Sequence, residues 1–276
     1  MAGTSAGTDC QTGSVMITGG ESYLALRNGT QVRYDTEELP VSEVLTSYGP
    51  GGIGLFTDGL LDTHFANRGR HGRLVELLVD SRGLTTGHHR AIGIDENTAL
   101  VVTGDWTQRR AAVIGQRGVW LFDTSEARRV ATDKSSSVGR LLLGSAFPSI
   151  EGVRLSRLSD GDRLDLRSFS VHHASYKTTI VPSYDVKAAS SEDIFREDTF
   201  EFDKLLLSLL QSMARSTFGV TKQTNPQLSI VLQKEKEGEE EGEEKRSAHG
   251  YGGINPTTGL YAYSFEGVLM SVDIAE

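Results

Sequence analysis

Apolar positions along this chain follow two periods. Leu74, Leu77 and Leu78 recur at intervals of three and one, the spacing that gathers side chains on one helix face. A helix is therefore expected over 69–80, with Gly83 as its stop. A longer stripe, Phe202, Leu205, Leu206, Leu209, Leu210 and Met213, predicts a second helix over 198–215, with Gly219 closing it. Short runs rich in β-branched and apolar residues predict strands at 59–62, 91–94, 98–102, 110–114, 119–122, 153–158, 163–171 and 227–233. Turn chemistry suggests how some of them pair. Gly115-Gln116-Arg117-Gly118 predicts a hairpin between 110–114 and 119–122. Ser159-Asp160-Gly161-Asp162 predicts another between 153–158 and 163–171, and Asn255-Pro256-Thr257-Thr258-Gly259 a third within 250–274. The pattern is mixed α and β, without an internal repeat.

Composition narrows the functional classes. The chain has 276 residues, enough for one large domain or two ordinary ones. With 28 basic and 37 acidic residues the net charge is −9, which argues against a general nucleic-acid binder. No apolar run approaches the roughly 18 residues that a membrane span needs, and no basic-then-apolar leader opens the sequence. Cys10 is the single cysteine, so an internal disulfide is excluded. Residues 234–246, KEKEGEEEGEEKR, hold seven glutamates, four basic residues and no apolar one. Such a segment buries too little surface to offset its ordering entropy and is expected to be a solvated or disordered loop.

Candidate chemistry begins almost at once. Gly3-Thr4-Ser5-Ala6-Gly7 fits G-x-S-x-G, the pattern of a sharp turn with a serine at its apex and a helix behind it. Small residues on either side let the turn close. Free N–H groups at the helix start can stabilise an oxyanion. A serine nucleophile needs a base, and the base an orienting acid. Of the seven histidines, His64 stands out, because it follows an expected strand and precedes the charged cluster Arg68-Gly69-Arg70-His71-Gly72-Arg73. Sites of open α/β sheets lie at the carboxyl ends of strands. The pairs His88-His89 and His172-His173 could suggest a metal. However, neighbouring strand side chains point to opposite faces, and no cysteine cluster or H-E-x-x-H accompanies them. No metal and no cofactor is expected.

At this point the residues resemble a known family. Residues 62–74, Asp62-Thr63-His64-Phe65-Ala66-Asn67-Arg68-Gly69-Arg70-His71-Gly72-Arg73-Leu74, resemble the D-x-H-F-x-x-R-x-R-x-G-R-L block of the cyanophycinases. Ile92-Gly93-Ile94-Asp95-Glu96-Asn97-Thr98-Ala99 resembles that family's G-I-D-E-x-T-A segment, Gly3–Gly7 its elbow, and residues 16–21, MITGGE, the stretch after it. The resemblance covers residues 2–122 well and 153–167 more loosely. It implies an α/β fold: a flavodoxin-like, class I glutamine-amidotransferase-like sheet with added β-hairpins and a C-terminal α+β extension. The expected division is a peptidase region over 1–184 and an extension over 185–276.

The same resemblance implies roles. Ser5 would attack a peptide carbonyl to form an acyl-enzyme, with His64 as general base and then general acid. Glu21 is the first choice for the orienting acid and Glu96 the second. Arg68, Arg70 and Arg73 would recognise a substrate carboxylate, since guanidinium forks bind carboxylates bidentately. Asp62 would face a substrate arginine. The implied substrate is a peptide with β-aspartyl-arginine-like units, although Thr63 stands where these enzymes often carry glutamine. Members of the family carry further βα units before the elbow, so the sequence is expected to be the C-terminal part of such a protein.

A non-catalytic interaction protein retaining the family's half-domain is the alternative. A third reading, an α/β-hydrolase esterase, also uses G-x-S-x-G and would draw its base from late in the chain, at His249. Neither nucleic acid nor membrane is an expected partner. A homodimer is allowed for, and the compartment is set to cytoplasmic by default, or secreted if a longer precursor carries a leader.

Overall fold

The structure is a computed structural model that describes residues 1–33, 45–82, 88–105, 108–131, 148–235 and 248–275. The expected helix stop at Gly83 and most of the acidic stretch, 236–246, lie outside the described residues.

The chain opens with a single helical turn, α1 (Ala6–Asp9), a short strand, β1 (Met16–Ile17), and helix α2 (Ser22–Asn28). Strands β2 (Thr30–Arg33), β3 (Leu45–Tyr48) and β4 (Leu60–Thr63) follow. Helix α3 (His71–Ser81) then leads to β5 (Arg90–Ile94), β6 (Thr98–Thr103), β7 (Arg110–Gly115), β8 (Gly118–Asp123) and β9 (Arg128–Ala131). Next come β10 (Pro148–Ser159), β11 (Arg163–Asp165), β12 (Val171–His172) and β13 (Thr178–Thr179). Helix α4 (Glu201–Gln211) precedes β14 (Ser216–Val220), β15 (Leu228–Lys234), β16 (His249–Ile254) and β17 (Tyr261–Ile274).

Among the described residues these strands form three sheets. The largest runs β13-β16-β17-β10-β8-β5-β4, with β15 also on β17, β14 on β15 and β9 on β10. A second sheet runs β12-β11-β7-β6, and a small one β1-β3-β2. The large sheet joins residues from both ends of the chain, since Leu155 of β10 pairs with Val268 of β17. Its β4 and β5 are parallel, with Thr63 opposite Ile94.

The period-two alternation of the central strands explains the layering. In β8, Trp120 and Phe122 turn to one core and Val119 and Leu121 to another. Leu60 and Ala91 join the first core, Leu61 and Ile92 the second. The first core is covered by the stripes of α3 (Leu74, Leu77, Leu78) and α4 (Phe202, Leu205, Leu206, Leu209). The second is closed by Ala111 and Val113 of β7 and Leu164 of β11. The large sheet therefore carries helices on one face and a four-stranded sheet on the other, a mixed α/β architecture.

This arrangement corrects two expected hairpins. β7 pairs with β6 and β11, whereas β8 pairs with β5 and β10. The glycine-bearing segment 115–118 thus carries the chain from one sheet to the other. The Asp-Gly turn at 160–161 does the same between β10 and β11. In both cases the flanking strands face each other across the second core instead of sharing an edge. The expected strand 163–171 is itself a small hairpin, β11 against β12. Gly219, expected as a helix stop, lies within β14, and the hairpin around 255–259 is the turn between β16 and β17.

One glycine of this frame bears directly on the site. Gly93 in β5 lies against the ring of Phe65, and a Cβ there would come within 2.4 Å of it. Phe65 follows His64 and is fully buried. Gly93→Ala is expected to cost about 1–3 kcal/mol through overpacking, read as a lower midpoint in urea unfolding. An unchanged midpoint would mean that Phe65 repacks freely.

Candidate active site

Ser5 occupies a strained backbone conformation, φ 53° and ψ −132°, immediately before α1. This region favours glycine, and a serine held there sits on a sharp turn with its hydroxyl displayed. Gly3 is required at this bend, because a Cβ would meet Gly7 O at 2.3 Å. Gly7 is not required on steric grounds, as nothing lies within 4 Å of where its Cβ would stand.

The Ser5 Oγ lies 2.9 Å from His64 Nε2. His64, also at positive φ (49°), directly follows β4. Its other ring nitrogen, Nδ1, is 2.7 Å from Glu96 Oε1. Glu96 lies two residues beyond β5, the parallel neighbour of β4. His64 and Glu96 therefore both project from the carboxyl ends of a parallel pair. With an ionised carboxylate holding the proton on Nδ1, Nε2 is left as an acceptor for the serine hydroxyl. Asn67 Nδ2 donates to the same Glu96 oxygen at 3.3 Å.

Glu21, the first choice for the acid, is elsewhere. It is the N-cap residue of α2, where its carbonyl accepts from Ala25 N–H at 3.0 Å. Both ring nitrogens of His64 are already taken, so Glu96 holds the position against His64 expected of Glu21. His249, the base of the esterase reading, stands opposite Glu266 on β16 and lines a different cavity.

The charged block after His64 divides in two. Asp62 is fully buried, and Arg73 grips it with Nε at 2.8 Å and with a second guanidinium nitrogen. Arg70 donates to Thr63 O at 2.6 Å and reaches Asp62 at 3.4 Å, while Arg73 also donates to Gly20 O at 2.9 Å. Asp62 is thus occupied by this chain's own arginines and does not present its carboxylate to a substrate arginine. Arg68 is exposed at the cavity rim.

Several supporting residues lay outside the sequence-based candidates. Asp95 accepts from Ala66 N–H (2.9 Å), Gly118 N–H (3.1 Å) and Trp120 Nε1 (3.3 Å), pinning the loops that carry His64 and Glu96. Burial and the nearby Asp203 push its carboxyl up to about 7, against the pull of Arg157 and the two backbone donors. Ser22 donates to Gly69 O at 2.5 Å and accepts from Gly72 and Arg73 N–H at 3.0 and 3.2 Å. It therefore caps α3 from another helix. No sequence pattern signals such a contact across about 50 residues. Asp9 had a signal, since it follows Ser5 by one helical turn.

Ser5, Asp9, Met16, Thr63, His64 and Arg68 line a cavity of about 500 Å³. A larger one, about 780 Å³, lies between Arg90, Arg154, Glu235, His249 and Glu266. Among the described residues no group of three His, Cys, Asp or Glu side chains gathers as a metal would need. Nor is any helix among them long and apolar enough to cross a membrane.

No family model matches the chain. Among curated proteins it is similar to the cyanophycinase of Synechococcus elongatus, 32% identical over 128 residues, which is 44% of this chain and 33% of that protein. The cyanophycinase of Thermosynechococcus vestitus gives the same figures, 32% over 128 residues. That of Trichormus variabilis is 29% identical over 185 residues, 66% of this chain and 48% of that protein. The chain spans between a third and about half the length of these relatives, and it is distantly related to the cyanophycinases.

Proposed function

We propose that this chain is a serine-type hydrolase that cleaves a β-aspartyl or related peptide bond through an acyl-enzyme. The observation that carries the reading is the hydrogen-bonded run Ser5–His64–Glu96 at the carboxyl ends of β4 and β5. In this reading His64 Nε2 takes the hydroxyl proton as Ser5 Oγ attacks the carbonyl carbon. Glu96 stabilises the imidazolium that results. The N–H groups of Gly7 and Thr8 are taken by the Thr4 and Ser5 carbonyls, so this reading assigns the oxyanion to the N–H of Ala6, next to the nucleophile. The imidazolium then gives its proton to the leaving amine. Water, deprotonated by the same nitrogen, attacks the ester and releases the acid. Arg68 at the rim is the side chain best disposed to attract a carboxylate of the peptide.

The distant relationship to cyanophycinases supports the substrate class. The parallel β4–β5 pair with α3 packed on it supports a flavodoxin-like, class I glutamine-amidotransferase-like origin for this part of the sheet. A fluorophosphonate tests the chemistry. The protein should label at Ser5, and Ser5→Ala should not. Equal labelling of both, or none in a folded sample, overturns the reading.

A further inference from the structure

Asp9 lies one helical turn beyond Ser5, lines the same cavity, and is about nine-tenths buried. Its Oδ2 accepts from Thr63 Oγ1 at 3.3 Å, but its Oδ1, although buried, has no hydrogen-bond partner. A buried carboxylate oxygen without a donor is costly, and a donor brought by a ligand removes that cost. The charges around it are balanced: Asp9 and Asp62 are two acids, Arg70 and Arg73 two bases. Without Asp9 the inner cavity would be left with one unopposed guanidinium and would suit an anion.

We propose that Asp9 sets the charge preference of this cavity, so that the subsite beside Ser5 takes a substrate group bearing neutral N–H donors, a primary carboxamide, in place of a carboxylate. The proposal rests on the hydrolase reading. A carboxylate placed there would face Asp9 and leave Oδ1 without a donor, whereas a carboxamide supplies one. A cation is disfavoured by Arg70, Arg73 and the exposed Arg68. Burial, and after it Asp62, pushes the Asp9 carboxyl up to about 7, with Arg73, Arg70 and Thr63 pulling it back. His64, Cys10 and Arg68 line the same cavity. Below that value Asp9 is neutral and itself a donor, and the discrimination against a carboxylate fades.

The test uses two p-nitroanilides of aspartic acid linked through the β-carboxyl, one with a free α-carboxylate and one with an α-carboxamide. The ratio of their kcat/KM values cancels whatever acts on both probes alike. At about pH 8 the protein should favour the carboxamide by about tenfold, and the preference should fall towards about pH 5.5 as Asp9 gains its proton. Asp9→Asn should lower the ratio at about pH 8 by about tenfold and flatten its pH dependence; Asp9→Ser should do the same. A ratio that these variants leave unchanged, or that is flat with pH in the unaltered protein, overturns the proposal. So does turnover of neither probe by a protein that still labels at Ser5. Loss of the labelling itself removes the hydrolase reading instead, and the subsite with it.

Discussion

Glu96→Gln should lower turnover by about four orders of magnitude, while Glu21→Gln leaves it within about twofold. The difference follows from one proton. A carboxylate at 2.7 Å keeps the His64 proton on Nδ1. A glutamine amide can instead turn its NH2 toward Nδ1, which places the ring proton on Nε2. That nitrogen then donates where it must accept, and the Ser5 hydroxyl loses its base. Shape and packing are preserved, so the loss falls on chemistry and not on folding. Glu21 is the N-cap residue of α2, and the Nδ1 contact that fixes the tautomer is made by Glu96. Steady-state kinetics and the rate of fluorophosphonate labelling measure both variants. A silent Glu96→Gln together with a crippled Glu21→Gln would reverse the assignment.

Lys177→Met should destabilise the protein by about 3–5 kcal/mol, the usual result of leaving a buried charge without its partner. Lys177 Nζ lies 2.7 Å from Asp162 Oδ1, with both side chains fully buried. The same ammonium donates to Ser159 and Ser264 hydroxyls at 2.8 and 3.0 Å. Asp162 further accepts from Ser159 and Ala174 N–H at 2.9 and 2.8 Å. These contacts join β10, the Asp-Gly turn and β17. Burial alone would raise the Asp162 carboxyl, but His173, Lys177 and Ser264 hold it down to about 2. Because the folded value lies below the unfolded one of about 3.9, this stabilisation is present above about pH 4 and is lost as pH falls towards 2. In Lys177→Met, acid unfolding should begin at higher pH. Urea unfolding at neutral pH, where a change under about 1 kcal/mol would count against the argument, is the direct measurement.

How much of this was legible in the sequence depended on distance along the chain. Ser5 and His64, which the structure brings to 2.9 Å, each stood out through a local pattern: an elbow for one, a strand end for the other. The choice of acid could not. It is set by β4 lying parallel to β5, which brings residues 64 and 96 together, whereas the family resemblance favours Glu21. Asp62, Arg70 and Arg73 misled for a different reason. The resemblance marks these arginines as a place that binds carboxylates, but not whether the carboxylate belongs to a ligand or to the chain, and for Arg70 and Arg73 Asp62 supplies it. The helices were legible because their apolar stripes face one large core. The turns at 115–118 and 159–162 specify a bend but not its partner, so a corner between two sheets read as a hairpin.

The backbone at Ser5 and His64 has one more consequence. Two residues held at positive φ stand on either side of a 2.9 Å contact, and neither can relax without breaking it. If the proposed hydrolase reading holds, the work of bringing Ser5 and His64 into register is done when the chain folds, before any substrate arrives. A peptide reaching such a site would meet a pair set in place by the fold and would not itself have to assemble it.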